Sequence, residues 1–208
     1  EKVSYTLPGL LTGSREQTSF LIRPHDREAR TLWAVFGGNA MVATDWIAFV
    51  EAMLRCEYEF DSESAGPGPA FLLVDYPGYG LNEGRTAPSS VLKASRQALQ
   101  SALLRLEGSS PAQISPEVNI LGHSLGSAAA SQLAALLGRE GVKAGRLILS
   151  APFLSVPEMA ERILGGAVTP ALQPLLPLLL KLLVPHHWDN STSTPAAARA
   201  GWRIGIVH

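Results

Sequence analysis

Gly122-His123-Ser124-Leu125-Gly126 is the stretch of this sequence whose residue types and spacing best suit covalent chemistry. The G-x-S-x-G pattern sets a serine hydroxyl between two residues that lack a Cβ, which permits a turn too sharp for side chains. Val118-Asn119-Ile120-Leu121 before it reads as a buried strand. Ser127-Ala128-Ala129-Ala130 after it opens a helix of small residues. A nucleophile elbow needs this strand–turn–helix context, with the Ser124 hydroxyl raised above the C-terminal edge of a sheet. The helix N-terminus there favours negative charge. The competing reading is a plain glycine-rich turn between strand and helix. His123 adjoins the serine but should point away from its hydroxyl at so sharp a bend. It is assigned to packing or to a local hydrogen bond.

Acyl transfer also needs backbone N–H donors aimed at a developing oxyanion. Leu125, the residue after the nucleophile, is expected to give one. The turn Phe36-Gly37-Gly38-Asn39-Ala40, directly after a strand, is expected to give the other, from Asn39 or alternatively from Gly38. A tight turn without a catalytic part is the plainer alternative. A third loop, Asp75-Tyr76-Pro77-Gly78-Tyr79-Gly80-Leu81-Asn82-Glu83-Gly84, also follows a strand. Asp75 resembles a catalytic acid by position, but a structural carboxylate that ties down the glycine loop is favoured.

The elements that must position these loops alternate. Thr18 to Ile22, Leu32 to Phe36, Phe71 to Val74, Val118 to Leu121, Leu147 to Leu149 and Ile204 to Val207 read as strands. Most are continuous apolar runs, as in a parallel sheet covered on both faces. Between them, Thr44-Asp45 is expected to cap a helix through Trp46, Phe49, Val50 and Leu54. Ser89-Ser90 is expected to cap another, from Val91 to Leu106. A third runs from about Leu125 to Leu137, with Gly138 as its C-cap. The order predicts one α/β domain over residues 1–208, a doubly wound, mostly parallel sheet with right-handed crossovers. Asp61 to Pro69 reads as a surface loop. Residues 151–200 carry seven prolines among many leucines and suit a helical cap inserted between two strands. Proline-kinked packing helices are the alternative.

Composition removes several function classes. Of 208 residues, 46% are apolar and 17% charged, against the charged quarter typical of soluble domains. Apolar surface or a covering partner is therefore expected. A net charge of -1 leaves no electrostatic footprint for nucleic acid. The single cysteine, Cys56, excludes an intrachain disulfide and leans towards an intracellular, reducing compartment, cytoplasmic or organellar. It reads as a small buried hydrophobe and not as a nucleophile. No His or Cys spacing suggests a metal, and Gly78-Tyr79-Gly80 lacks the third glycine of a dinucleotide site, so no cofactor is expected. The apolar run Leu175 to Val184 is too short to span a bilayer. The chain opens on Glu1 and not on Met, as a processed chain or a fragment would, and no secretory leader pattern is visible.

The three loops in order resemble the α/β-hydrolase superfamily. The resemblance is strongest to its membrane-associated serine hydrolases, the depalmitoylase-like and lysophospholipase-like branch. That branch carries a His-Gly-Asn-Ala turn, an Asp-Tyr-Arg-Gly-Tyr-Gly loop and the serine elbow at similar spacings. Val184-Pro185-His186-His187-Trp188-Asp189-Asn190 resembles its segment before the seventh strand. Two departures stand out. Gly37 replaces the usual His of the oxyanion turn. Trp202 to His208 looks like the seventh strand, whereas in the family the catalytic Asp follows that strand and the catalytic His follows the eighth. His208 then matches a strand-end His, not the general base. His25, His186 and His187 have no position that predicts contact with Ser124.

The resemblance implies an α/β-hydrolase fold without its last strand. It implies a serine hydrolase that cleaves a carboxylic ester or thioester, acyl-bearing or lipid-like, through an acyl-Ser124 intermediate. The triad Asp and His are expected beyond residue 208, because a serine without a base is a weak nucleophile. The leucine-rich cap fits an apolar substrate, and association with a membrane surface or a protein complex. The alternative is a non-catalytic hydrolase-fold subunit or scaffold of a larger assembly, organellar complexes included. Fold alone does not separate the two.

Overall fold

From Leu32 to Phe36, the side chains of the strand Ala29–Phe36 alternate between two faces. Leu32, Ala34 and Phe36 enter one apolar cluster, and Trp33 and Val35 the other. This period of two places the strand in the middle of a three-layer molecule. The structure, a computed structural model, describes residues 1–8, 14–24, 28–60, 68–107, 115–164 and 188–208. His25, His186, His187, the run Leu175 to Val184 and most of the loop from Asp61 lie outside the described residues.

Seven strands form one sheet: β1 (Lys2–Pro8), β2 (Ser14–Ile22), β3 (Ala29–Phe36), β4 (Gly68–Val74), β5 (Glu117–His123), β6 (Arg146–Ser150) and β7 (Arg203–Val207). Their order is β1-β2-β4-β3-β5-β6-β7. β2 pairs antiparallel with both β1 and β4, and the pairs from β4 to β7 are parallel. The parallel strands therefore end at one common edge, where ligands bind in open α/β sheets. The expected strands are all present. β1 is not among the expected strands, although Val3 and Tyr5 are buried between exposed neighbours.

The helices are α1 (Ile47–Phe60), α2 (Pro88–Glu107), α3 (Leu125–Arg139), α4 (Val156–Leu164) and α5 (Asn190–Arg199). α2 and α3 cover one face of the sheet. The buried stripe Val91, Ala94, Ala98, Leu99, Ala102 and Leu106 on α2 meets the alanine-rich face of α3 in the larger cluster. Val50 of α1 joins Val35, Phe71 and Leu73 on the other face. No helix among the described residues is long and apolar enough to cross a membrane.

Cys56 is exposed on α1 and not buried as expected, because the buried side of that helix is the one that carries Val50. Three expected helix ends are corrected. Thr44 and Asp45 lie inside the short 3-10 turn Ala43–Trp46 that leads into α1, and Val42 is at its N-cap. α2 starts at Pro88, one step before the expected serine caps. Proline suits that first position, because its missing N–H would have no helical partner. Ser90 then lies inside the first turn, and its hydroxyl accepts the Ala87 N–H at 3.1 Å. Gly138 is not the C-cap of α3. Val142 N–H bonds Leu137 O and Gly141 N–H bonds Gly138 O, the Schellman pattern, and Gly141 holds the left-handed position at φ 74°. Gly138 instead allows close packing of helices, since a Cβ there would lie 2.3 Å from Ala200 Cβ.

Candidate functional site

β5 ends at His123, and α3 begins at Leu125, so a single residue makes the turn. That residue, Ser124, adopts φ 51° and ψ -117°. A non-glycine residue rarely occupies this region, at a cost of about 1–3 kcal/mol. The surroundings over-determine it. Ser124 N–H donates to Ser150 O at 2.9 Å, and Ser124 O accepts the Ser127 N–H at 2.9 Å. The flanking glycines allow close approach of backbones. A Cβ on Gly122 would stand 2.2 Å from Gly126 O, and one on Gly126 would stand 2.3 Å from Phe36 O. The strain is thus carried by the serine, and the two glycines let strand, helix and the end of β3 converge on it.

The turn after β3 runs beside Ser124. A Cβ built on Gly38 would lie 3.4 Å from the Ser124 Cβ and 3.5 Å from His123 Cδ2. Leu125, Gly38 and Asn39 are therefore brought to one edge with the serine. The Gly38 N–H already points at the Met41 thioether, with Sδ at 3.2 Å. The Leu125 and Asn39 N–H groups have no such partner among the described residues. A Cβ at position 37 would come within 3.0 Å of Met41 Cβ and 3.3 Å of Trp46 Nε1. Met41 and Trp46 fill the space that a larger residue at 37 would need.

The glycine loop after β4 braces this turn from the other side. Asp75 is 3% exposed, and its Oδ1 accepts the Ala43 N–H at 2.7 Å. Its carboxyl pKa is raised, first by burial and also by Asp45, against the opposing effect of the Ala43 hydrogen bond. Tyr76 OH donates to Gly37 O at 2.6 Å. Burial, then the neighbouring Tyr79 and Asp75, push its pKa far up, so the hydroxyl keeps its proton and remains a donor. Tyr79 OH donates to Asn39 Oδ1 at 2.8 Å and accepts the Ala40 N–H at 3.2 Å. Asn82 anchors the far end of the loop, donating to Asp75 O and Thr18 O and accepting the Thr18 N–H. Asp75 thus bonds Ala43, at the start of the short helical turn that follows the turn after β3. These tyrosine contacts were not anticipated in the sequence, since they join residues about 40 positions apart.

His123 Nδ1 lies 3.1 Å from Ser150 Oγ, and its ring meets Trp46 edge-on at 6.3 Å. The ring is thus engaged by packing and by a hydrogen bond, with residues distant in the chain. His208 follows the end of β7 and is exposed. Asn190, at the start of α5, is buried and ties the segment after β6 to α3. Its Nδ2 donates to Ser127 Oγ and Phe153 O, and its Oδ1 accepts the Ser131 hydroxyl. At the same sheet edge, Leu149, Phe153, Leu154, Met159 and Ile206 line an apolar cleft of about 560 Å³.

Similarity to known proteins follows the fold. A crystal structure of an α/β-hydrolase from Vibrio vulnificus matches 99% of this chain and 72% of its own, at 17% identity and a TM-score of 0.58. The peroxisomal α/β-hydrolase Lpx1 of Saccharomyces cerevisiae matches 74% of this chain at 20% identity and a TM-score of 0.51, and this chain spans 44% of that one. No curated protein sequence matches. A family model described as serine aminopeptidase, S33, matches residues 57–201, a span that holds both the Asp75 loop and the Ser124 elbow. With that match over most of its length and with this sheet order, the chain belongs to the serine aminopeptidase S33 family of hydrolases, within the α/β-hydrolase superfamily.

Proposed function

We propose that the protein is a serine hydrolase acting on a carboxylic ester or thioester, acyl-bearing or lipid-like, as in the depalmitoylase-like branch that its loops resemble. The observation that carries this reading is the strained Ser124, held at the sheet edge next to the Gly38–Asn39 turn. Strain of this kind persists where surroundings enforce it and concentrates at functional sites. In the proposed reaction the Ser124 hydroxyl attacks the carbonyl carbon as an imidazole takes its proton. The N–H groups of Leu125 and Asn39 receive the oxyanion. The leaving alcohol or thiol takes the proton back, and water then releases the acid from acyl-Ser124. The acid and base come from chain beyond residue 208. Of residues 151–200, where the cap is expected, 165–187 lie outside the described residues; the apolar cleft beside β6 and β7 suits a substrate with an aliphatic part.

A non-catalytic scaffold is the second reading. It is favoured by the low charged fraction, 17%, which suits a surface covered by a partner. A fluorophosphonate probe on the full natural polypeptide separates the two. Labelling that disappears in Ser124→Ala, together with turnover of nitrophenyl esters or acyl thioesters, supports the hydrolase. A folded full-length protein that takes no label refutes it.

A further inference from the structure

We infer that Tyr79 is a positioning residue for the oxyanion turn: its hydroxyl fixes Asn39 and Ala40 so that the Asn39 N–H faces the carbonyl under attack at Ser124. This rests on the hydrolase reading above and deepens it. Ala40 sits at φ 61° without being glycine. A β-carbon residue in that left-handed region drifts back unless something holds it. Tyr79 is the group that holds it. One hydroxyl donates to the Asn39 side chain at 2.8 Å and accepts the Ala40 N–H at 3.2 Å, so it holds Asn39 by its side chain and by the peptide unit that follows it.

The clamp is itself rigidly mounted. Tyr79 packs edge-on against Tyr76, with ring centroids 5.5 Å apart, and Tyr76 is buried with its hydroxyl on Gly37 O. Tyr79 N–H also donates to Tyr76 O at 2.8 Å. Two tyrosines of one loop therefore hold two successive parts of the other, Gly37 by its carbonyl and Asn39–Ala40 by the hydroxyl of Tyr79. The Gly38 N–H between them is on the Met41 sulfur, a weak acceptor. The Asn39 N–H is left as the donor that this arrangement orients.

The test is the rate of fluorophosphonate labelling at Ser124, and of ester turnover, in the full natural polypeptide and in Tyr79→Phe. The variant keeps the ring and its packing on Tyr76 and loses both hydrogen bonds. A misplaced oxyanion donor slows reaction by about 10- to 100-fold. The expected result is a loss of that size, carried by kcat with KM unchanged, in a protein whose melting temperature stays close to wild type. Asn39→Ala keeps the N–H but removes the side-chain acceptor. Its effect should be smaller and should add little to that of Tyr79→Phe. Labelling of Tyr79→Phe at the wild-type rate overturns the positioning role while the hydrolase reading stands. So does a loss matched by a fall in folded protein or carried by KM. A wild type that folds and takes no label removes both.

Discussion

Substituting Gly126 by alanine adds one methyl group at the tightest crossing of the site. The new Cβ would lie 2.3 Å from Phe36 O and 2.6 Å from Gly37 O. Carbon–oxygen contacts in proteins settle at about 3.3 Å or more, so the gap between α3 and the end of β3 must open by about 1 Å. Both obstructing atoms are backbone, and no side-chain rotation relieves them. Overpacking costs typically about 1–3 kcal/mol, and this site belongs at the upper end. Alanine returns up to about 1 kcal/mol of helix propensity. The net loss is about 2 kcal/mol, or a fall in melting temperature of about 4–8 °C for a chain of this size.

The same shift moves the turn after β3 away from Ser124. A misplacement of about 1 Å costs about 100-fold in rate, so fluorophosphonate labelling should fall far more than stability does. Gly205→Ala is the control, because a Cβ there would sit 4.0 Å from Ile148 Cγ1 in ordinary contact. Its melting temperature and labelling should match wild type. A Gly126→Ala protein with wild-type melting and wild-type labelling would refute the close packing of α3 on the end of β3.

Two other perturbations probe the strain and the buried charge. Ser124→Gly removes the cost of holding a β-carbon residue at φ 51° and ψ -117°. Differential scanning calorimetry should show melting raised by about 2–4 °C, with labelling abolished; a lower melting temperature would mean that the elbow stores no strain. Asp75→Asn keeps an oxygen to accept the Ala43 N–H but removes the titration. The folded carboxyl has its pKa above the usual 3.8, so its protonated form is the one that folding favours. The stability this contributes is complete below 3.8 and is lost as pH rises through the folded value. In urea unfolding, the wild type should therefore lose ground relative to Asp75→Asn between acid and neutral pH. A difference that does not change with pH would show that burial leaves Asp75 unaffected.

The parts of this fold that could be read from sequence are those with a local physical cause. Continuous apolar runs gave the parallel strands, because strands covered on both faces have no polar side to alternate. The elbow was legible because its glycines and its strand–turn–helix context lie within a dozen residues. β1 is an edge strand with only two buried side chains, Val3 and Tyr5, among mostly polar neighbours, which is too weak a pattern to read. Gly138 was misread because a glycine at a helix end has two different uses. Here it makes room for Ala200, a contact 62 positions away in the chain that no local pattern encodes. The Tyr79 clamp was likewise out of reach, since a tyrosine in a glycine loop reads the same whether its hydroxyl meets water or a turn beyond the next strand.

Strand order explains why these loops meet. β3 lies between β4 and β5. Neighbouring strands are about 4.8 Å apart, so the turn after β3 touches both the glycine loop after β4 and the elbow after β5. The tyrosines can then brace the turn on one side while Gly126 presses it on the other. β6, the next strand, takes the Ser124 N–H through Ser150 O. That amide is thereby used up, and Leu125 becomes the first N–H beside the hydroxyl without a partner among the described residues. The end of β7 is two strands from the elbow, about 10 Å, which is too far for a side chain there to touch the serine. In the proposed mechanism a carboxylate following β7 therefore acts on Ser124 only through an imidazole placed between them. Under that proposal the sheet spacing leaves the acid to orient the base and keeps it from the serine.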